Sequence, residues 1–265
     1  MPGRKLLHTD IAWSSADRIT VHGYDLPRDL IGKINLGDMG FLGLTGRLPT
    51  RRESTLFNAI LVTLVEHGIT PSALATRMTY TGAPEAMQAA VAAGLLGLGS
   101  VFVGTTEGAA RMLQESLPGG KAKGSIDALA RAIVDDYRKS GRAIPGLGHP
   151  LHKPVDPRTP RLFAIARSSR VSGNYIRLMQ AIASRAESIY GKNLPINATG
   201  AVGAICCELG LPWNACRGIG VMARAVGLVG HALEESRRPM GAEIWHRVDE
   251  EATAHLRRGS AKKKR

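Results

Sequence analysis

Apolar residues recur at helical spacing in segment after segment of this chain, and that periodicity constrains its fold more than any other feature. Between Thr55 and His67, Leu56, Ile60 and Leu64 form one stripe, with Leu61 and Val65 filling its flank. Pro84–Leu98 is rich in alanine and nearly free of charge, which predicts a buried helix with Pro84 in its first turn. Ser125–Lys139 places Ile126, Leu129, Ile133 and Val134 on one side, behind a serine or aspartate cap and ahead of a basic last turn. Asn174–Ile189 and Asn214–Glu235 repeat the pattern. The β signal is confined to Arg18–Tyr24, which reads as a short strand or hairpin. Aromatic residues are only 5% of the chain, so the core must be built from Ala, Leu, Ile and Val, a composition that suits close-packed helices. The predicted fold is mainly α.

The 265 residues suffice for one large domain or two small ones. No apolar run approaches ~18 residues without a polar break, so no membrane span is expected. The N-terminus lacks the apolar stretch of a secretion signal. Cys206, Cys207 and Cys216 form no CxxC pair, which argues against a disulfide framework or a zinc finger. Cys206 and Cys207 instead read as small hydrophobes on an apolar helix. His22, His152, His246 and His255 have no partners at ligand spacing, so no metal is expected. A cytoplasmic, reducing location follows. The net charge is +13, and six of these charges sit in Arg257–Arg265, which carries no acidic residue and reads as a flexible basic tail. The remaining excess favours a polyanionic ligand, either a nucleic acid or a phosphorylated cofactor. Specific nucleic-acid binding lacks a recognisable motif or an aromatic platform for bases.

Two irregular stretches interrupt the helices, Leu117–Lys121 and Ile144–Pro160. The second contains five prolines and two histidines. Such a loop inside a helical protein is more often functional than accidental. Pro145, Gly146, Leu147 and Gly148 offer backbone amides and room for a flat ligand. His149 can give or take a proton near neutral pH. Lys153 can meet a phosphate and Arg158 can grip a carboxylate. Asp156 can cap the next helix or hold one of these cations. The same residues would also make a proline-rich surface turn.

Gly146-Leu147-Gly148-His149, followed by Lys153 and Asp156-Pro157-Arg158, resembles the GxGH…K/R…DPR loop of the citrate synthase superfamily. The resemblance extends in order over most of the chain. Gly23–Asp25 with Asp29-Leu30 is similar to the family's opening segment, and Leu42–Thr50 to its LP-T helix and turn. Glu66-His67-Gly68 stands where the family has an Asp-His pair, and Arg224 with Gly227–His231 resembles its late Arg-x-x-Gly-x-x-x-His helix. The chain is most like the citryl-CoA lyases and the synthase-like module of ATP-citrate lyase. Phe102 points the same way, because it replaces the histidine of the synthases' GPxHGG segment.

The resemblance implies a two-domain helical fold, with residues 1–103 and 206–265 in a large domain and 104–205 in a small domain carrying the CoA loop. It implies a site in the cleft between them and a homodimer built through Ala83–Gly99 and Gly218–Leu233. Ile144–Gly148 would cradle adenine, with Lys153 near a CoA phosphate. His67 and Arg158 would bind the carboxylates or carbonyl of oxaloacetate, and Arg238 would reach the partner's substrate. His149 and His67 would be catalytic. No cofactor is implied beyond the coenzyme A of the thioester. The implied activity is cleavage of citryl-CoA to acetyl-CoA and oxaloacetate. The alternatives are another 3-hydroxyacyl-CoA such as citramalyl-CoA, or a non-catalytic CoA-binding homologue. The family's catalytic Asp lies in an Asn-Val-Asp segment, and the matching Asn197-Ala198-Thr199 ends in a residue that cannot act as a carboxylate base. Synthesis must deprotonate a weakly acidic methyl group. Cleavage needs a base only for a hydroxyl, a role His149 could fill, so the loss weighs more on synthesis.

Overall fold

The computed structural model describes residues 7–122 and 124–262. A three-stranded antiparallel sheet opens the chain, with β1 (Ala12–Ser14), β2 (Ile19–Val21) and β3 (Tyr24–Asp25) in sequential order. Trp13 faces Thr20 across the first pair and Val21 faces Tyr24 across the second. Eleven α-helices follow among the described residues: α1 (Leu36–Thr45), α2 (Arg51–Val65), α3 (Pro71–Gly82), α4 (Met87–Leu96), α5 (Gly104–Ser116), α6 (Ile126–Lys139), α7 (Arg158–Ser168), α8 (Asn174–Tyr190), α9 (Ala198–Glu208), α10 (Cys216–Arg237) and α11 (Gly241–Lys262). The mainly α reading therefore holds.

The helix starts obey local chemistry. Asn35, Thr70, Ser125 and Asn197 each cap a helix by accepting a backbone N–H with the side chain. Pro71 sits in the first turn of α3, where its missing N–H costs nothing. The segment expected to start at Pro84 begins three residues later, because Ala83–Ala86 forms a turn before α4. No helix among the described residues is long and apolar enough to cross a membrane.

The chain separates into two compact units, Met1–Thr63 with Gly104–Ile219 and Leu64–Val103 with Gly220–Arg265. In the first, α9 is the central element and packs against α5, α7 and α8, while α6 packs on α8. Ala198 and every residue from Gly200 to Cys207 are buried. A Cβ at Gly203 would come within 2.9 Å of the Thr106 carbonyl, so the backbones of α5 and α9 are in contact. Within the same unit, Phe41 of α1 meets Phe57 of α2 edge-on, with centroids 5.3 Å apart. Cys206, Cys207 and Cys216 are buried free thiols, and burial pushes the Cys207 thiol up.

In the second unit, α3 packs on α4 and α11 packs on α3. A Cβ at Gly94 would come within 2.8 Å of the Ser72 carbonyl, which is how α3 and α4 approach so closely.

This division differs from the one the family resemblance implied. A boundary after residue 205 would cut through α9. The segment after α9 stays with the first unit because Gln114 of α5 clasps it, donating to the Leu211 carbonyl at 2.7 Å and accepting from the Trp213 N–H at 3.0 Å. The basic segment expected to be a flexible tail from Arg257 begins inside α11, whose backbone is helical to Lys262; residues 263–265 lie outside the described residues.

Candidate active site

The glycine-rich loop is laced onto the segment that leads into α9. Gly148 donates to the Pro195 carbonyl at 2.8 Å, and the Asn197 N–H donates to the Gly146 carbonyl at 3.0 Å. Leu147 and Ile196 form an isolated antiparallel bridge. Gly146 has φ +85°, and a Cβ there would lie 2.5 Å from the Gly200 Cα. Only glycine meets both demands. Asn197 joins loop to helix: its Nδ2 donates to the Gly148 carbonyl at 2.7 Å, and its Oδ1 accepts from the Gly200 N–H at 3.0 Å. The same Oδ1 accepts from the Thr199 hydroxyl at 2.7 Å, and Thr199 in turn accepts from the Thr105 hydroxyl at 3.1 Å. Where the family has a carboxylate, this chain therefore has a hydroxyl committed to a helix cap.

Asp156 fixes the far end of the loop. Its side chain is completely buried. It accepts from the Arg158 guanidinium at 2.9 and 2.8 Å, from the Arg158 N–H at 3.1 Å and from the Ala198 N–H at 2.9 Å. Burial alone would raise its pKa, but the bonds from Arg158 and Ala198 prevail and hold it at about 2. Arg158 makes these bonds with Nε and Nη2. Its side chain is 26% exposed.

His149 is half-buried and stacks on His152 with centroids 4.2 Å apart. Its Nδ1 accepts from the N–H groups of Leu151 and His152 at 3.1 and 3.0 Å. A nitrogen that accepts two amide protons carries none of its own, so the neutral ring holds its proton on Nε2. Lys153 is exposed.

On the other side of the loop lies a pocket of about 370 Å³. Ile144 and Leu147 form its apolar wall, Tyr137 and Tyr190 supply aromatic faces, and Arg138, Arg142 and Lys192 supply positive charge. Arg142 lies 4.7 Å over the Tyr137 ring and donates to Asp136 at 2.9 Å. Lys153 is not among the lining residues. The cations come from three separate positions, and only Arg138, in the basic last turn of α6, had a sequence signal.

The remaining candidates belong to the second unit. His67 follows the end of α2, where the Glu66 carboxylate accepts the N–H groups of His67 and Gly68, both at 2.8 Å. Glu66 also lies 3.1 Å from His231 Nε2. Behind it, Arg77 is 1% exposed and bonded to His231, Glu234 and Glu235. His231 reads from sequence as a helix-packing residue; the structure makes it part of a buried polar chain. Arg238 is exposed just beyond α10, and Phe102 is 48% exposed between α4 and α5.

A mainly helical chain that clamps a Gly-x-Gly-His loop to a helix N-terminus defines the class to compare. The chain is a member of the citrate synthase family: the sequence profile of the citrate synthase C-terminal domain matches residues 12–245. The citryl-CoA lyase of Hydrogenobacter thermophilus has a similar structure, with a TM-score of 0.79 and 36% identity over 87% of each chain. The ATP citrate lyase of Methanothrix soehngenii, solved with citrate and coenzyme A, shares the fold with a TM-score of 0.76 at 21% identity, covering 89% of this chain and 40% of that one. A probable ATP-citrate synthase of Dictyostelium discoideum is 24% identical over 242 residues, which are 85% of this chain and 38% of that protein. The chain thus spans well under half the length of the ATP-citrate synthases it matches.

Proposed function

We propose that this protein is an acyl-CoA carbon–carbon lyase that cleaves citryl-CoA to acetyl-CoA and oxaloacetate. The observation that carries the reading is the intact Gly146–Arg158 loop, clamped to α9, in a chain 36% identical to a citryl-CoA lyase across 87% of both lengths. In the reaction the substrate hydroxyl loses its proton and becomes the carbonyl of oxaloacetate. The adjacent carbon–carbon bond breaks, and its electron pair leaves on the acetyl-CoA enolate, which then takes a proton at carbon.

The accepting Nδ1 of His149 revises its role. To take the hydroxyl proton at Nε2, the ring would have to move its own proton to Nδ1 and give up two amide bonds. We assign His149 the donor role instead: Nε2–H holds the oxygen as it becomes a carbonyl. The hydroxyl proton passes to His67 or to water. Arg158 Nη1 and Arg238 bind substrate carboxylates. The Tyr137–Lys192 pocket, walled by Ile144 and Leu147, suits the adenosine end of coenzyme A, with Arg138, Arg142 and Lys192 meeting phosphate. Lys153 then serves a phosphate farther along the cofactor chain. No step requires a cofactor beyond the CoA thioester.

We place the protein in the cytoplasm as a homodimer, with large and small domains as in the family. The exposed apolar residues Leu96 on α4 and Val226, Val229 and Leu233 on α10 support the dimer, because these helices are the ones the family resemblance assigns to it. Purified protein given citryl-CoA, malate dehydrogenase and NADH should consume NADH as oxaloacetate forms. CoA binding without NADH loss would favour the second reading, a non-catalytic CoA-binding homologue, which the hydroxyl at Thr199 motivates.

A further inference from the structure

His67 is carried by a turn with little structure of its own. It follows directly on α2, and Gly68 takes φ +76°. The Glu66 carboxylate organises this turn by accepting two successive N–H groups with Oε1. Those bonds and the nearby His231 lower its pKa against the opposing effect of burial.

The carboxylate is itself held from behind. Its Oε2 lies 3.1 Å from Nε2 of His231, in a contact bent away from ideal hydrogen-bond alignment. His231 is 8% exposed, and its Nδ1 accepts from Arg77 Nε at 3.1 Å. The neutral ring therefore keeps its proton on Nε2, toward Glu66. Arg77 cannot withdraw, because Nη1 is bonded to Glu235 at 3.0 Å and Nη2 to Glu234. Glu235 in turn accepts the N–H groups of Met240 and Gly241 at 2.8 and 2.7 Å, which ties it to the junction of α10 and α11. Backbone packing seats the same turn. A Cβ at Gly227 would lie 2.1 Å from the Val65 carbonyl and 2.9 Å from Glu66 Oε2, so α10 rests directly against the end of α2.

We propose that Glu66 and His231 are positioning residues for His67: a chain from Arg77 through His231 to the Glu66 carboxylate sets the conformation of the turn that presents the His67 imidazole. Burying Arg77, His231 and Glu235 is a costly way to join helices that apolar packing could join, and the Glu66 end of the chain reaches solvent. Its terminus on a candidate catalytic turn gives it a purpose. The catalytic part of this inference rests on the lyase reading; the positioning part does not.

The test reads both parts in the full-length protein. Long-range ¹H–¹⁵N spectra report the tautomer and pKa of the His67 imidazole in the wild type, His231→Ala, Glu66→Gln and the double variant. Coupled assays give kcat and KM for citryl-CoA in the same four. His231→Ala should move the His67 signals although it adds no group beside His67. It should lower kcat on the order of 10²-fold, as expected for a misplaced catalytic group, while KM changes far less. The double variant should be no worse than the poorer single variant, because both cut the same chain. If His231→Ala does not fold, Glu66→Gln, at a side chain that is 44% exposed, keeps the oxygen that accepts both amide N–H groups but turns an N–H toward His231 and should give the same two effects. Unmoved His67 signals with kcat within twofold of wild type would overturn the proposal. If the wild type does not cleave citryl-CoA, the lyase reading fails, and the His67 signals alone decide on positioning.

Discussion

Asp156 holds three parts of the site at once, and its replacement has a calculable consequence. Its carboxylate joins the Arg158 guanidinium, the first turn of α7 and the first N–H of α9. Its pKa of about 2 lies nearly two units below the ordinary value of about 3.9, so ionisation contributes about 2 kcal/mol to folding at neutral pH. Because the folded pKa is the lower one, this contribution is complete above pH ~4 and fades as pH falls toward ~2. Asp156→Asn removes the charge and keeps an acceptor, so it should lower stability at pH 7 by about 2 kcal/mol, with the gap from wild type closing in acid. Asp156→Ala also strands the guanidinium and the Ala198 N–H. Breaking a buried pair costs about 3–5 kcal/mol, and water can reach the partly exposed Arg158, so the lower end applies. At roughly 2–4 °C per kcal/mol, its Tm should fall by about 6–12 °C. Thermal and urea unfolding followed by circular dichroism at neutral and acid pH measure both effects. A variant as stable as wild type at pH 7, or a gap that persists undiminished in acid, would refute the argument that this carboxylate's charge holds the loop to α9.

The other expectations concern the loop and the chemistry. Gly146→Ala combines a left-handed backbone with a clash against Gly200 and should cost about 2–4 kcal/mol, with CoA affinity falling at least about tenfold by isothermal titration. Lys192→Ala and Arg138→Ala should each weaken CoA binding by about tenfold at low salt, and the loss should shrink as salt rises. His149→Ala should slow cleavage on the order of 10²–10³-fold while the thermal midpoint and CoA affinity stay near wild type. Thr199→Ala should cost far less, and Thr199→Asp should speed exchange of the acetyl-CoA methyl protons with deuterated water, followed by NMR; rapid exchange in the wild type would show that another residue is already the base.

Helical periodicity revealed the fold because burial on one side leaves a local record: Leu56 and Ile60 are spaced to share a face, and both are buried. The loop was legible for a similar reason, since Gly146, His149, Asp156 and Arg158 fall within thirteen consecutive positions. What escaped were arrangements that only the folded backbone brings together. Arg77 and Glu235 are 158 positions apart, and nothing local to either marks a buried ion pair. Asn197 caps α9 and also donates to the Gly148 carbonyl, a tie between segments far apart in the chain that the sequence does not mark. Arg138, Arg142 and Lys192 gather at one pocket because α6 and α8 pack side by side, which their separate sequences do not announce. The hold of Gln114 on the segment after α9, which keeps that segment with the first unit, likewise has no local mark in the sequence.

Thr199 connects these observations to the direction of the reaction. A carboxylate at this position would stand in the first turn of α9, where the helix dipole stabilises its charge and lowers its basicity. Thr199 instead donates its proton to the Asn197 cap and accepts one from Thr105, so both of its strong hydrogen-bonding roles are spent inside the protein. Forming the enolate of acetyl-CoA requires a base to remove a carbon-bound proton, and this segment provides none. Cleavage generates the enolate from the other side, by breaking a carbon–carbon bond, and then only has to protonate a strongly basic carbon, a step that any nearby acid or water can complete. The requirement shifts to the oxygen end, where a fixed donor is needed as the hydroxyl becomes a carbonyl. In the proposed reaction His149, with Nδ1 held by two amides and its proton placed on Nε2, would fill that role. On the proposed lyase reading, a threonine in place of the carboxylate weighs on the synthetic direction and leaves the oxygen end of the site unchanged.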